Sequence, residues 1–279
     1  MAEVPTSELE IIFKQVPLLT KFHIEDFQIR PLPGFTNQNF HLKNDQHDWI
    51  LRIPKPETNL LINRQHEAHN ANIASRLGIA PECIWRNESG LSLSQTLLNT
   101  SSIKPTAIIN KIILGSLLKT IARLHKSKNK FHGVVDLTEL LPRYYQAAPA
   151  HIQSQIETSY KIAVGKLESI SVKEKRMVPS HNDLVLENIL IGTTGQVWLI
   201  DWEYSSMASP YWDLAILCNA ADLNQDQCAW LLDEYKIHNL ALESKILSDY
   251  RYMLGVLSIC WMAAFSGVGI EDEMLNKYC

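Results

Sequence analysis

The residues best suited to chemistry lie between Ser180 and Asp201, in the stretch SHNDLVLENILIGTTGQVWLID. Asp183 and Asn188 are five residues apart on a polar loop, and Asp201 follows the second of two short apolar runs. The runs flank the turn GTTG, so they predict a β-hairpin that brings Asn188 close to Asp201. Neighbouring oxygen donors suit Mg²⁺, and Asp183 is then available to accept a proton from an attacking hydroxyl. This set predicts phosphoryl transfer.

A purely structural role competes with this interpretation. Asp183 or Asn188, each taken alone, could simply form a turn, since Asp and Asn are common turn residues. The ordered set, with apolar strands between its members, favours function. We expect His181 to support the loop through hydrogen bonds rather than to act in the chemistry.

The elements around this loop change character near residue 99. Before it, a helix at 6–26, a hairpin at 27–42, strands at 49–53, 83–86 and 91–97, and a helix at 62–77 are predicted. After the polar residues 99–102, helices are predicted at 105–126, at 138–169 and from 211 to the end, interrupted by the hairpin. The pattern therefore predicts an α+β protein with a small β-rich lobe at 1–98 and a large, mostly helical lobe at 99–279.

The segment HNDLVLENIL resembles the H-x-D-x-x-x-x-N catalytic loop of the aminoglycoside phosphotransferase and choline kinase superfamily. LIDWEY resembles the metal-binding segment, at the place where protein kinases have D-F-G. The resemblance extends over most of the chain and implies a protein-kinase-like two-lobed fold that uses ATP and Mg²⁺. It implies Asp183 as the catalytic base, with Asn188 and Asp201 holding the metal.

The first lobe should supply a cation to the ATP phosphates from a strand, partnered by a helix carboxylate. Arg52 in WILRIP has the strand position, and Glu67 in NRQHEAH is its expected partner. Protein kinases use lysine there, whereas choline-kinase-like proteins commonly show arginine, which can hold phosphate oxygens in a bidentate manner. An exposed strand charge and a surface glutamate are the alternatives.

The loop PGFTNQNF has one glycine rather than the three of the protein-kinase phosphate loop, and it resembles the G-x-[TS]-N segment of choline-kinase-like enzymes. The resemblance implies phosphate contacts from Thr36 and Asn37, although a plain hairpin turn explains the loop nearly as well. The joint at 95–98, including Gln95 and Leu97, should supply backbone contacts to adenine.

The acceptor is suggested by IDWEYSSMASPYWDLA, which looks like the choline kinase pattern. Aromatic faces attract a quaternary ammonium ion, and carboxylates add long-range attraction. By resemblance, Tyr204 and Trp261 line a choline pocket that Glu203 and Asp213 orient. Bracing of the catalytic loop is the alternative role for Asp213. Choline kinases tend to have a second tryptophan where this chain has Ser258, so a complete aromatic cage is not predicted.

We therefore expect a small-molecule alcohol as substrate, cationic and most plausibly choline or ethanolamine. Thiamine kinase, aminoglycoside phosphotransferase and a nucleotide-binding pseudokinase remain alternatives, in that order. No D-F-G segment occurs, which argues against a protein kinase.

Composition excludes other classes of partner. The formal net charge is −4 and no basic stripe occurs, which argues against nucleic acid. Five scattered cysteines without a C-x-x-C pair favour a reducing cytoplasm. The charge-free stretch 252–270 predicts a buried helix rather than membrane insertion. The sequence does not predict an oligomeric state.

Overall fold

The computed structural model describes residues 6–34, 36–55, 62–171, 174–239, 241–266 and 275. The chain divides into two compact units, Met1–Thr100 and Ser101–Cys279.

The first unit is built on a five-stranded antiparallel sheet in the order β1-β2-β3-β5-β4. Its strands are β1 (Gln28–Leu32), β2 (Asn37–Lys43), β3 (Asp48–Pro54), β4 (Cys83–Arg86) and β5 (Ser92–Gln95). In β3 every second residue is buried, as expected when one face of a sheet is covered. Trp49 and Leu51 there join Phe13 and Val16 in the core, so the predicted strands are confirmed.

The first helix is shorter than predicted. In place of the expected helix at 6–26, the structure has the shorter helix α1 (Thr6–Gln15) and a separate 3-10 turn at Ile24–Asp26. Pro17 explains the break, because proline lacks an N–H donor and disfavours helical geometry in the residue before it. Helix α2 (Arg64–Arg76) agrees with its prediction: Asn63 caps its first turn, and Gly78 follows it at φ +70°.

The second unit is mostly helical. Its helices are α3 (Pro105–Ile108), α4 (Lys111–His125), α5 (Leu137–Ala147), α6 (Ala150–Ser171), α7 (Pro210–Ala220), α8 (Gln225–His238) and α9 (Ser244–Trp261). Helix α9 packs against α5, α6 and α7 and is followed by a π-helical turn, Met262–Ser266. The described part of the charge-free stretch thus belongs to a packed helix. Within the described ranges, no helix is both long and apolar enough to cross a membrane.

The predicted helix at 105–126 is two helices in the structure. It breaks between α3 and α4, where the Asn110 side chain accepts hydrogen bonds from the N–H groups of Ile112 and Ile113. Asparagine is favoured at such a helix start, so Asn110 begins a new helix rather than continuing the first.

Short strands frame the segment from Ser180 to Asp201. The predicted hairpin is confirmed as β8 (Ile189–Gly192) and β9 (Val197–Leu199), with Gly195 in its turn at φ +80°. Three further strands of three residues each were not predicted, because a three-residue strand is too short to show alternation. They are β6 (Thr100–Ser102) beside β8, and the pair β7 (Val178–Ser180) and β10 (Ser206–Ala208).

Candidate active site

Asp183 and Asn188 are in direct contact on the loop between β7 and β8. The Asn188 side-chain amide donates to the Asp183 carboxylate, with 2.9 Å between Nδ2 and Oδ2, and to the Asp183 carbonyl oxygen at 3.0 Å. A 3-10 turn, Leu186–Asn188, sets the distance between them. The N–H of Ile200 donates to the Asn188 carbonyl oxygen at 3.0 Å, so Asn188 lies opposite the residue before Asp201.

Asp183 lies among other carboxylates. Burial, followed by the negative charges of Asp201 and Glu203, raises the pKa of Asp183 to about 7, although the hydrogen bond from Asn188 acts in the opposite direction. A carboxylate whose pKa is raised in this way can exchange a proton near neutral pH, which a general base requires.

The backbone of this centre is held in left-handed conformations. Asn182 has a φ of +66° and Asp201 a φ of +62°. Such conformations cost on the order of 1 kcal/mol each for residues other than glycine, and they persist where surrounding contacts fix them. The Asn182 side chain provides such contacts by donating to the Tyr204 carbonyl oxygen at 3.0 Å and to the Ser206 hydroxyl at 2.7 Å.

Asp213, on α7, braces the loop that carries Asp183. Its carboxylate accepts the backbone N–H of His181 at 3.0 Å and that of Asn182 at 2.7 Å, and it contacts His125 Nε2 at 3.0 Å. Burial alone would raise the pKa of Asp213, but the hydrogen bond and charge of His125, together with His181, hold that pKa below its usual value. These contacts match the bracing alternative better than a direct contact with substrate.

His181 is fully buried and supports the same loop. Its Nδ1 accepts the N–H of Asp183 at 3.3 Å, so the tautomer that donates from Nε2 fits the 2.9 Å contact with the Ile200 carbonyl oxygen. Burial lowers the pKa of His181, which favours the neutral ring. The ring packs against Trp202, with 4.6 Å between centroids.

Two pairs of aromatic rings lie in the second unit, and Tyr204, in one of these pairs, directly follows Glu203. The rings of Tyr204 and Trp261 meet edge to face at 6.4 Å, and those of Tyr144 and Phe265 do so at 5.3 Å. Burial, followed by Glu203, Asp183 and Tyr144, raises the pKa of Tyr204. The Tyr204 hydroxyl is buried and has no hydrogen-bond partner among the described residues.

In the first unit, Glu67 is surrounded by three arginines. Its fully buried carboxylate contacts Arg52, lies 2.9 Å from Arg64 Nη1 and lies 3.0 Å from Arg86 Nη1. Burial alone would raise the pKa of Glu67, but the charges of Arg52 and Arg86 and the hydrogen bond of Arg64 lower it to about 2. One carboxylate thus faces three guanidinium groups, which are side chains that can also bind phosphate oxygens.

The other predicted nucleotide contacts lie in the same unit. The Asn37 amide donates to the Thr36 hydroxyl at 3.0 Å, and both residues are buried. A Cβ on Gly34 would lie 2.4 Å from the Asn37 carbonyl oxygen, so this turn requires glycine; Phe35 lies outside the described residues. At the predicted joint, the Gln95 N–H bonds to the Glu82 carbonyl oxygen, and the Leu97 carbonyl oxygen accepts the Thr100 hydroxyl.

Residues 30–250 of the chain match the model of a family described as choline/ethanolamine kinase. The chain belongs to the choline/ethanolamine kinase family. Protein LicA of Haemophilus influenzae (strain Rd) is 30% identical over 238 residues, which cover 81% of this chain and 88% of that protein. The match makes the chain a kinase of small molecules, a phosphotransferase with an alcohol as acceptor.

Solved structures of other proteins have the same fold. The choline kinase LicA from Streptococcus pneumoniae superposes with a TM-score of 0.83 at 23% identity, covering 97% of this chain and 96% of that one. A structure of LicA in complex with AMP gives 0.79 at 24% identity, with 96% and 94% covered. The predicted protein-kinase-like, two-lobed α+β fold is thereby confirmed.

A divalent cation fits the centre of this family member. No group of three or more His, Cys, Asp or Glu side chains within the described ranges could hold a metal. Mg²⁺ does not require one, because it is often held by one or two protein oxygens together with water and phosphate. Asn188 and Asp201 offer one amide and one carboxylate oxygen, and the mutual repulsion of the carboxylates around Asp183 favours a cation there.

The sequence reasoning missed several residues of this kinase. Their partners are far away along the chain, so no local motif marks them. His125 is the clearest case, because it bridges Asp213 to the Tyr235 hydroxyl, which lies 2.7 Å from its Nδ1. In the sequence, the helix that carries His125 shows only an apolar periodicity. The other residues missed are Arg64, Arg86, Tyr144, Tyr235 and Phe265.

Proposed function

We propose that the protein transfers the γ-phosphate of ATP to the hydroxyl of a cationic amino alcohol, with choline as the principal acceptor and ethanolamine as the second. The observation that carries this proposal is the contact between the Asn188 amide and the Asp183 carboxylate, beside Asp201 at the end of one hairpin. A base and two metal donors on one short segment are the parts that phosphoryl transfer requires.

Asp183 accepts the proton of the acceptor hydroxyl as that hydroxyl attacks phosphorus. The Asn188 amide donates to Oδ2 of Asp183 and so orients the carboxylate, while Asp213 fixes the backbone on which Asp183 lies. Asn188 and Asp201 would hold Mg²⁺, which would supply positive charge to neutralise the charge that develops on the phosphate oxygens.

The nucleotide is ATP, and residues 1–98 form the lobe that holds it. The three arginines that contact Glu67 support this, because guanidinium groups bind phosphate oxygens in a bidentate manner. Thr36 and Asn37 add polar groups from the β1–β2 turn, and Gln95 and Leu97 provide backbone groups for adenine. The LicA structure with bound AMP gives independent support.

The acceptor is cationic, and residues 99–279 hold it. Tyr204, Trp261, Tyr144 and Phe265 supply aromatic surface near the Glu203 carboxylate. Each aromatic face attracts a quaternary ammonium ion by roughly 0.5–2 kcal/mol. Ser258 leaves the second tryptophan of choline kinases absent, but Tyr144 and Phe265 add rings that the sequence did not predict. The similarity to a choline kinase from S. pneumoniae supports the same substrate.

A panel assay tests this proposal. The purified protein is given Mg-ATP with choline, ethanolamine, thiamine, homoserine or an aminoglycoside, and both ADP and the phosphorylated product are measured. We expect the highest kcat/KM with choline. A preference for thiamine or an aminoglycoside would overturn the choice of acceptor but keep the kinase, whereas ATP binding without phosphorylation of any acceptor would favour a pseudokinase.

The described cysteines are free thiols, which supports the cytoplasmic location expected from the sequence.

A further inference from the structure

Two buried cysteines meet where α7 gives way to α8. Cys218 lies near the end of α7 and Cys228 lies in the first turns of α8, and each thiol shifts the pKa of the other. The connecting turn holds both ends: the Leu223 N–H donates to the Cys218 carbonyl oxygen at 2.9 Å, and Cys228 Sγ lies 3.7 Å from the Leu223 carbonyl oxygen. This turn therefore brings the two cysteines close together.

A guanidinium group is fixed against one of the two sulfur atoms. Arg251, on α9, places Nη1 2.9 Å from Cys228 Sγ. Asn219 holds Arg251 in this position, because its Oδ1 accepts from Arg251 Nε at 3.0 Å and its Nδ2 donates to the Arg251 carbonyl oxygen at 2.8 Å. A cation fixed beside a thiol stabilises the thiolate, which is the nucleophilic form of cysteine.

The pKa values of the two thiols are shifted in opposite directions, as a pair made of one nucleophilic and one resolving cysteine requires. The neighbouring Cys218 thiol and the charge of Arg251 lower the pKa of Cys228, although burial acts against them. The neighbouring Cys228 thiol, followed by burial, raises the pKa of Cys218. Cys228 is thus suited to attack an oxidant, and Cys218 is suited to react with the product.

Another buried cysteine of the same lobe shows the contrast. Cys260 lies on α9, and burial raises its pKa to about 12. No cation lies within hydrogen-bonding distance of its sulfur among the contacts described. Burial alone therefore gives an inert thiol, and the contact with Arg251 distinguishes Cys228.

We propose that Cys228 and Cys218 form a redox-active dithiol, which a hydroperoxide converts into an intramolecular disulfide. The Cys228 thiolate attacks the terminal peroxide oxygen, the O–O bond breaks, and the leaving oxygen takes up a proton to give water or an alcohol. Cys228 becomes a sulfenic acid. The Cys218 sulfur then attacks Cys228, the S–O bond breaks, and the second oxygen leaves as water with the Cys218 proton. This inference does not depend on the proposed phosphotransfer.

Hydrogen peroxide and a sulfenic acid trap such as dimedone test the order of these steps. In the wild-type protein we expect a disulfide between Cys218 and Cys228 in the peptide map, with a mass loss of two hydrogens that dithiothreitol reverses. In Cys218→Ser, dimedone should label Cys228, because the resolving thiol is gone. In Cys228→Ser, Cys218 should remain unlabelled. Wild-type protein that keeps both thiols under peroxide would overturn the proposal.

Substitution of the cation tests the cause of the reactivity. Arg251→Met should slow the oxidation of Cys228 at neutral pH by roughly tenfold or more, and Arg251→Lys should preserve part of the rate because it keeps a cation. Cys260→Ser is the matched control and should leave the rate unchanged. Equal oxidation rates in the wild type and in a folded Arg251→Met variant would contradict the proposal. If Arg251→Met fails to fold, labelling of Cys228 in Cys218→Ser decides the case.

Discussion

The side-chain amide of Asn188 donates to the carboxylate of Asp183, with 2.9 Å between Nδ2 and Oδ2. The same nitrogen also contacts the Asp183 carbonyl oxygen at 3.0 Å, so the orientation of the amide is fixed. Its nitrogen faces the proposed base, and its oxygen is then directed away from that base. The amide of Asn188 can therefore orient the proposed base through its nitrogen and bind a metal ion through its oxygen.

The metal role of Asp201 predicts a selective effect on nucleotide binding. Asp201→Ala should weaken ATP binding in the presence of Mg²⁺ by roughly tenfold or more, with little change in Mg²⁺-free buffer, because only the metal-dependent contact is lost. Isothermal titration calorimetry under both conditions measures this. Glu187→Ala is the control, since Glu187 is an exposed carboxylate on the same loop. Equal weakening with and without Mg²⁺ would argue against a metal ligand.

The arginine cluster predicts an acid-dependent loss of stability in the first unit. The pKa of Glu67 is lowered from 4.5 to about 2, so its ionised form stabilises the folded state fully above about pH 4.5. This contribution, on the order of 3 kcal/mol, should disappear as the pH falls from about 4.5 towards 2.

Chemical denaturation at a series of pH values tests this prediction with Glu67→Gln. The variant should be less stable at neutral pH and should lose the part of the acid dependence that Glu67 causes. Glu88→Gln, a change at an exposed glutamate, serves as the control. Identical acid dependence in Glu67→Gln and the wild type would show that the cluster does not stabilise the fold.

His125 predicts an effect on the stability of the fold. It contacts Asp213 at 3.0 Å and the Tyr235 hydroxyl at 2.7 Å, and its removal leaves both polar groups buried without this partner. His125→Ala should therefore lower the free energy of unfolding by about 2–3 kcal/mol. His151→Ala, at an exposed position on α6, should change it by less than about 0.5 kcal/mol. Comparable losses in the two variants, measured by urea denaturation, would refute the bridging role.

The proposed contact of Tyr144 with the acceptor predicts a change in KM without a comparable change in kcat. Tyr144→Ala should raise the KM for choline roughly 5- to 30-fold, because one aromatic face is lost, while kcat changes much less. Tyr144→Phe keeps the ring and is the matched control, so its KM should remain near the wild-type value. An unchanged KM in Tyr144→Ala, or an equal rise in both variants, would remove Tyr144 from the proposed pocket.

The catalytic segment could be predicted because its geometry is local. Asp183, Asn188 and Asp201 lie within one loop and one hairpin, and the GTTG turn with its flanking apolar runs determines how they meet. The break at Asn110 was missed for a physical reason: the apolar spacing continues through it, and only the cap hydrogen bonds show that a new helix starts.

Residues brought together by tertiary packing could not be predicted. His125 reaches Asp213 across 88 positions of the chain, and Tyr144, on α5, raises the pKa of Tyr204, 60 residues further along the chain. The partner of Arg52 could be proposed, since a helix follows its strand, but the addition of Arg64 and Arg86 depends on how α2 and β4 pack around Glu67. Periodicity reports which side of an element is buried, and it does not report what that side meets.

The most direct test of the catalytic centre compares turnover and nucleotide binding in Asp183→Asn. This change keeps the size of the side chain and removes its ability to accept a proton. We predict that kcat for phosphorylation of the preferred acceptor falls by about 10²–10⁴, while the dissociation constant for ATP changes by less than about threefold. Turnover close to that of the wild type in a folded Asp183→Asn protein would contradict the assignment of Asp183 as the base.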